Sequence, residues 1–296
     1  MTVRVLAPAK INLALHVTGQ RADGYHELDT LVAFGPAYDV VHVTAAATNS
    51  LEISGPEAGG LAAGGNNLIL RAAEAVDVGS AAFQLEKNLP VASGIGGGST
   101  DAAAAVRGLL ALYGGANSPR ADQVAGLADR LLDLGADIPM CLVPQSLRAQ
   151  GIGKVLTPLA LPPMGCVLVN PRVQISTPDV FKSLTQKDNP PLPNDVPDFA
   201  TPQEAISWLA GQRNDLQAAA SVGAPVIHQV LDALRNQPGC GLARMSGSGA
   251  TCFGLFANAA KAQQAALDLA AVHPDWWVSG GVLAEERQWA VVESAP

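Results

Sequence analysis

The chain is poor in the residues that mark several large protein classes. Its only four cysteines, Cys141, Cys166, Cys240 and Cys252, are far apart and form no Cys-x-x-Cys pair. That spacing speaks against a disulfide framework and against a structural zinc site. Their apolar neighbours mark them as small buried hydrophobes. Basic residues are scarce as well: 18 Lys and Arg face 26 Asp and Glu, for a net charge of −8. Binding a phosphate backbone needs a basic face, so nucleic acid is not an expected partner. No apolar run is long enough to cross a bilayer, and residues 1–10 lack the charged start and apolar core of a signal peptide. The sequence therefore predicts a cytoplasmic protein with no membrane partner. Aromatic residues make up only 4% of the chain, which draws attention to each one placed beside a glycine or a polar turn.

Glycine, by contrast, is concentrated. The stretch Pro90-Val91-Ala92-Ser93-Gly94-Ile95-Gly96-Gly97-Gly98-Ser99-Thr100 holds four glycines within five positions. Such a backbone can take positive φ and lie against a ligand without Cβ interference. The residues after it keep helical apolar spacing, with Ala102, Ala103, Val106, Leu109, Leu110 and Tyr113 on the pattern. Ser99 or Thr100 is the expected N-cap. A glycine loop emptying into a helix N-terminus is an anion site, because unpaired N–H groups and the positive dipole end converge there. Triphosphate is the expected anion, and a side chain on Gly97 is expected to crowd it. The two commonest nucleotide loops do not fit. No lysine lies between Val91 and Arg107, as a P-loop requires, and Ser99 stands where a dinucleotide fingerprint has its third glycine. The other reading, a glycine-rich surface turn, leaves the serine cap and the alanine helix unexplained.

The length suits about two domains or one large one. Residues 3–7, 11–17, 28–34 and 40–44 read as strands, with a turn over 19–24. The five glycines within 54–65 predict a loop, after which Asn66 or Asn67 caps a helix through Leu68, Leu70, Ala73 and Val76. A short strand over 83–87 leads to the glycine loop, and a helix over 122–134 ends at Gly135. In the second half, 166–170, 242–246 and 251–256 read as strands, and 225–236 and 259–272 as helices. Residues 186–202 are crowded with proline and read as a surface loop or mobile connection. Mixed elements without strict βαβ alternation predict an α+β fold. The expected division is into 1–153, which holds the glycine loop, and 154–296.

The glycine stretch resembles the phosphate loop of the galactokinase, homoserine kinase and mevalonate kinase superfamily. Within it, Ala7-Pro8-Ala9-Lys10-Ile11-Asn12-Leu13 and Arg21-Ala22-Asp23-Gly24-Tyr25-His26-Glu27-Leu28 are similar to the 4-diphosphocytidyl-2-C-methyl-D-erythritol kinase family. Leu134-Gly135-Ala136-Asp137-Ile138-Pro139 and Met245-Ser246-Gly247-Ser248-Gly249-Ala250-Thr251 agree, and the blocks stand in the family's order. The resemblance implies two α+β domains with the active site between them: an N-terminal ATP-binding and catalytic domain, 1–153, and a C-terminal domain, 154–296, contributing to the substrate cleft. It implies ATP as phosphoryl donor, Mg²⁺ accompanying it, and a small cytidylyl alcohol as substrate in the non-mevalonate route to isoprenoid precursors. Backbone N–H groups, a few lysines and the divalent cation must then outweigh the chain's net negative charge. Another alcohol for the same fold, or a nucleotide-binding regulator without transfer activity, are the alternatives.

Phosphoryl transfer needs a group to accept the alcohol proton. Asp137, between a helix-ending glycine and Ile138-Pro139, reads from spacing either as a cap or as that base. The resemblance makes it the catalytic aspartate. Strand alternation puts Lys10, Asn12 and Ala14 on one face and by itself favours a solvent-facing lysine. The resemblance instead sets Lys10 beside Asp137, where an ammonium would balance the carboxylate and orient the hydroxyl, with Asn12 toward substrate. Tyr25-His26 reads as an ordinary turn with a tyrosine plugging the core or as a nucleobase pair. The resemblance implies that it holds cytosine, with Phe181 as the opposite stacking face. The spacing of four puts Thr177 and Phe181 on one helix face, and Phe34 is a further candidate for the apolar wall. Gly247-Ser248-Gly249 fits a tight hairpin; the resemblance gives it a role in supporting the phosphate loop. Ser93 and Asp101 depart from the commonest family residues, and Asp101 is expected to point away from the phosphates. His16, His42, His228 and His273 have no ligand spacing and read as structural or surface residues.

Overall fold

The computed structural model describes residues 1–114, 121–284 and 292–294. Two strands far longer than the sequence suggests organise it: β1 (Thr2–Gln20) and β2 (His26–Ala45). The expected breaks near Pro8 and Pro36 do not end them. Register shifts between Pro8 and Lys10 and between Asn12 and Ala14 absorb the irregularity, so pairing resumes on either side. Next come β3 (Ser50–Ser54), α1 (Leu68–Val76), β4 (Ala81–Glu86), α2 (Gly97–Gly114), α3 (Ala121–Leu132), α4 (Ile138–Cys141), β5 (Leu147–Gly151) and β6 (Val155–Pro158). Asn67 is the cap of α1, its side chain accepting from the Ile69 N–H at 3.0 Å. The second half adds β7 (Met164–Asn170), α5 (Thr177–Lys182), α6 (Pro202–Ala210), α7 (Gln217–Gly223), α8 (Val226–Arg235), β8 (Cys240–Met245), β9 (Cys252–Phe256), α9 (Ala259–Val272), β10 (Trp277–Leu283) and β11 (Val292–Ser294).

The strands form two sheets. The first runs β11-β1-β2-β4-β3, with β5 on another stretch of β2 and β6 on β5; the second runs β10-β7-β9-β8. Only β3 and β4 pair in parallel among the described strands, so the architecture is α+β. Sheet membership changes between Pro158 and Met164, and β11 returns to the first sheet. Among the described residues, no helix is long and apolar enough to cross a membrane.

Strand β1 runs through all three apolar cores. Val3 and Val5 pack with α1 and α2 residues, Ile11 and Leu13 with Leu168 and Phe253 of the second sheet, and Leu15 and Val17 with Val169 and Ile227. Alternation puts Lys10 and Asn12 on the face opposite Ile11. Ala14 does not join them: the shift after Asn12 turns it into the core with Ile11 and Leu13.

The proline-rich stretch forms neither helix nor strand through 201, as its composition predicts, but it is not a loose connection. The Asn189 N–H donates to the Val17 carbonyl at 3.0 Å. Asp29, almost fully buried, is held by Arg148 through bonds of 2.8 and 2.6 Å and accepts the Leu192 N–H at 3.0 Å. Arg148 also donates to the carbonyls of Leu192, Pro193 and Asn194. A buried carboxylate and its guanidinium thus pin the segment as a strap across β2 and β5.

Candidate active site

A cavity of about 1400 Å³ collects the motif blocks of the sequence from β1, β2, the glycine loop, α5 and the turn before β9. At its floor Lys10 donates to Asp137 Oδ2 at 2.8 Å and to Asn12 Oδ1 at 3.1 Å. Asn12 donates to Thr30 Oγ1 at 2.8 Å, and Thr30 to the Ala14 carbonyl at 2.6 Å. The Lys10 side chain is 6% exposed and that of Asp137 40%, so the carboxylate is the end of this chain that meets the cavity. The solvent-facing reading of Lys10 fails because its strand face is covered by the glycine loop, whose Ile95 carbonyl accepts the Lys10 N–H at 2.9 Å. Asp137 precedes α4 in the N-cap position but makes no capping hydrogen bond there. Its carboxylate goes to Lys10 instead.

The glycine loop delivers helix α2 earlier than Ser99 or Thr100 would as caps. Gly96, at φ +68°, turns the chain, and the helix starts at Gly97. Thr100 donates its hydroxyl back to the Gly97 carbonyl at 2.9 Å, so it caps nothing. The Thr100 N–H bonds the Gly96 carbonyl at 2.9 Å. The N–H groups of Gly97, Gly98 and Ser99, ahead of it, have no carbonyl within the helix. These three residues line the cavity with Ala92, Ser93, Gly94 and Gly96. Pro90, Val91, Ile95 and Thr100 do not line it; Ile95 is fully buried in the middle core.

Two structures support the loop from behind. The turn before β9 closes on it: Ser246 Oγ donates to the Gly94 carbonyl at 3.0 Å, and the Thr251 N–H to that of Ser93 at 3.1 Å. A Cβ on Gly94 would lie 2.6 Å from the carbonyl oxygens of Ser246 and Gly249, so only glycine fits. Beneath α2, Lys87 pairs with Asp39 and, at 2.7 Å, with Asp101. Asp101 therefore points away from the cavity, as expected. Burial pushes the Asp101 carboxyl well up, against the pull of Lys87 and with the charge of Asp39. A Cβ on Gly97 would face this cluster, 3.0 Å from Lys87 Nζ, and not the cavity. The expected clash with phosphate is thus replaced by a clash with a buried ammonium.

Tyr25, His26, Thr177 and Phe181 line the same cavity. Thr177 opens α5 and shares a hydrogen bond with Ser248 at 2.7 Å. His26 and Phe181 stack on each other, with centroids 4.7 Å apart and planes inclined by 26°. No base fits between two rings already in contact, so Phe181 does not face His26 across an open slot. Tyr25, 66% exposed, is the ring with free faces. Phe34 is buried in the first core and does not line the cavity.

Comparison with known proteins bears on these blocks directly. The profile of the GHMP kinases N terminal domain matches residues 67–144, and that of the GHMP kinases C terminal region matches 194–275. The chain is 53% identical to a 4-diphosphocytidyl-2-C-methyl-D-erythritol kinase of Dinoroseobacter shibae, over 94% of this chain and 93% of the relative. Identity is again 53% with the enzyme of that name from Ruegeria pomeroyi, covering 95% and 99%. A crystal structure of 4-(cytidine 5'-diphospho)-2C-methyl-D-erythritol kinase superposes with a TM-score of 0.74 at 34% identity, covering 95% of this chain and 99% of that one. The chain belongs to the 4-diphosphocytidyl-2-C-methyl-D-erythritol kinase family. As a member of this kinase family it carries cavity residues that sequence patterns did not single out. Lys154, Lys182 and Lys187 line the cavity, as do Asp23 and Asp133. Lys154 and Lys187 lie outside helix and strand and Lys182 ends α5, so no apolar periodicity marks them. His26 in this kinase has a pKa lowered by burial first and by the nearby Lys187 ammonium second. Its Nε2 is buried without a partner. His16 is structural, as expected: it takes the Arg213 N–H on Nε2 at 3.2 Å and faces the Pro190 carbonyl with Nδ1 at 3.2 Å.

Proposed function

We propose that the protein transfers the γ-phosphoryl group of ATP to the 2-hydroxyl of 4-diphosphocytidyl-2-C-methyl-D-erythritol, in the non-mevalonate route to isoprenoid precursors. The observation that carries this reading is the meeting, in one cavity, of the Lys10–Asp137 pair, the mouth of α2 and the Tyr25, His26 and Phe181 rings. The N–H groups at the start of α2 receive the triphosphate, where helix dipole and unpaired donors add. Asp137 Oδ accepts the proton of the attacking hydroxyl as its oxygen bonds the γ-phosphorus. The electron pair of the broken P–O bond leaves with ADP. Lys10, fixed by Asn12, holds the carboxylate in place and donates to the reacting oxygens. Tyr25 supplies a stacking face for cytosine, with the stacked His26 and Phe181 rings beside it.

Among the described residues, no group of three or more His, Cys, Asp or Glu could hold an ion by itself. Mg²⁺ entering with ATP would therefore take most of its ligands from phosphate oxygens and water, and it would neutralise charge on the transferred group. The proposed division into 1–153 and 154–296 is supported by the change of sheet between β6 and β7, although β6 and β11, both beyond 153, join the first sheet. The cytoplasm, which supplies ATP and keeps thiols reduced, suits an ATP-using chain whose four cysteines are free.

The test is an ADP-release assay with the cytidylyl alcohol, homoserine and mevalonate side by side. Turnover of the cytidylyl alcohol alone supports the reading, and turnover of either other alcohol at a similar rate refutes it. Removing one stacking platform is worth about 1–3 kcal/mol. Tyr25→Ala should thus raise KM for the cytidylyl substrate roughly tenfold or more, with KM for ATP little changed.

A further inference from the structure

The cavity contains more positive charge than phosphoryl transfer at its floor requires, and one of its lysines is held in an unusual way. Lys182 is 79% exposed and lies 3.8 Å from Asp179, a solvated pair. Lys10 is taken up by Asp137. Lys187 differs from both. It is half-buried, and its ammonium donates to the neutral amide oxygen Gln20 Oε1 at 3.2 Å. An ammonium whose partner is an amide keeps its full charge for an anion.

The strap sets where Lys187 sits. On one side Gln186 donates to the Asp188 carbonyl at 2.7 Å; on the other, Asn189 donates twice to the Val17 carbonyl, at 3.0 and 3.1 Å. Further on, Arg213 and His16 hold the Pro190 carbonyl, and the buried Asp29–Arg148 pair holds 192–194. A segment without helix or strand is thus fixed at successive points, with Lys187 directed into the cavity beside His26. A cation preorganised in this way loses little entropy on meeting its ligand.

We infer that Lys187 binds the diphosphate of the cytidylyl substrate, held over the cavity by the strap for that purpose. This rests on the proposed substrate: with cytosine beside Tyr25 and His26 and the alcohol at Asp137, the diphosphate must lie between them. Lysine recognises it as a point charge, so arginine in its place retains the attraction.

The test measures competitive inhibition by cytidine 5'-diphosphate and by cytidine, against the cytidylyl alcohol at saturating ATP. The proteins are the wild type, Lys187→Gln, Lys187→Arg and, as control, Lys261→Gln, an exposed lysine of α9 outside the cavity. Charge-assisted hydrogen bonds to phosphate predict that Lys187→Gln weakens the diphosphate about tenfold or more. Cytidine inhibition should be unchanged, kcat should move less than KM, Lys187→Arg should recover most of the loss, and Lys261→Gln should show little. Equal loss for diphosphate and nucleoside, or no loss for either, overturns the inference. If neither compound competes in the wild type, the cytidylyl reading itself falls and takes this inference with it. Unchanged thermal unfolding of Lys187→Gln separates a binding loss from a folding loss; should the Gln variant unfold early, recovery by Arg decides.

Discussion

Gly97→Ala tests the packing beneath the anion site. A methyl on Gly97 would lie 3.0 Å from Lys87 Nζ, 3.9 Å from Lys87 Cε and 4.0 Å from Leu89 Cβ. Comfortable contact for such atoms is about 3.5–4.0 Å, so the ammonium would have to move by about half an ångström. It has nowhere to go, since its side chain is 3% exposed and two carboxylates hold it. Overpacking of this kind costs about 1–3 kcal/mol, with about 3–5 kcal/mol as the ceiling if the buried pair breaks outright. Replacing a helical glycine returns roughly 0.5–1 kcal/mol. The net is a loss of about 0–2.5 kcal/mol, up to roughly 10 °C in Tm, and relative to a helical Gly→Ala without the clash the full cost of about 1–3 kcal/mol appears. Gly126→Ala in α3 is the control, because nothing lies within 4 Å of its Cβ and only the helical gain remains. Thermal unfolding by circular dichroism reads both variants, and KM for ATP reads whether α2 has shifted. If Gly97→Ala is as stable as Gly126→Ala, the Lys87 cluster is not rigid and the argument is wrong.

Two further outcomes are expected. Asp137→Asn should lower turnover by about 10²–10⁴-fold with nucleotide binding nearly intact, since the amide can still accept from Lys10 but takes no proton; near-normal kcat in a folded variant removes Asp137 from the mechanism. Stability should also depend on His16. Burial first, and Arg213 second, lower its pKa from 6.5, so below that pH the unfolded chain binds more protons than the folded one. Its contribution is therefore whole above pH 6.5 and is lost as pH falls from there toward the lowered value, with a slope of at most about 1.4 kcal/mol per pH unit. Urea midpoints of wild type and His16→Asn between pH 7.5 and 5.5 should converge as pH falls; parallel curves refute the assignment.

What the sequence revealed and what it hid have separate physical causes. The helices 68–76, 226–235 and 259–272 were legible because caps and apolar periodicity act within a few residues. The fused β1 and β2 were not, because a bulge lets a sheet continue past proline, and that depends on partners far along the chain. Lys10 illustrates the same limit. Alternation correctly sets it opposite Ile11, yet only the folded glycine loop decides that this face is covered. Asp137 could be read as cap or base until its carboxylate was found with Lys10 and not at the end of α4. Lys187 was invisible because its position depends on Asp29 and Arg148, which are remote from it in sequence.

The passage of β1 through three cores also bears on how the protein is made. Ile11, Leu13 and Ala33 are translated early, but the residues that cover them, Leu168, Phe253 and Leu255, come more than a hundred positions later. While the ribosome works through that interval, the first sheet has one packed face, under α1 and α2, and one stretch of bare aliphatic surface. The nascent chain must wait with this surface exposed until β7 and β9 emerge.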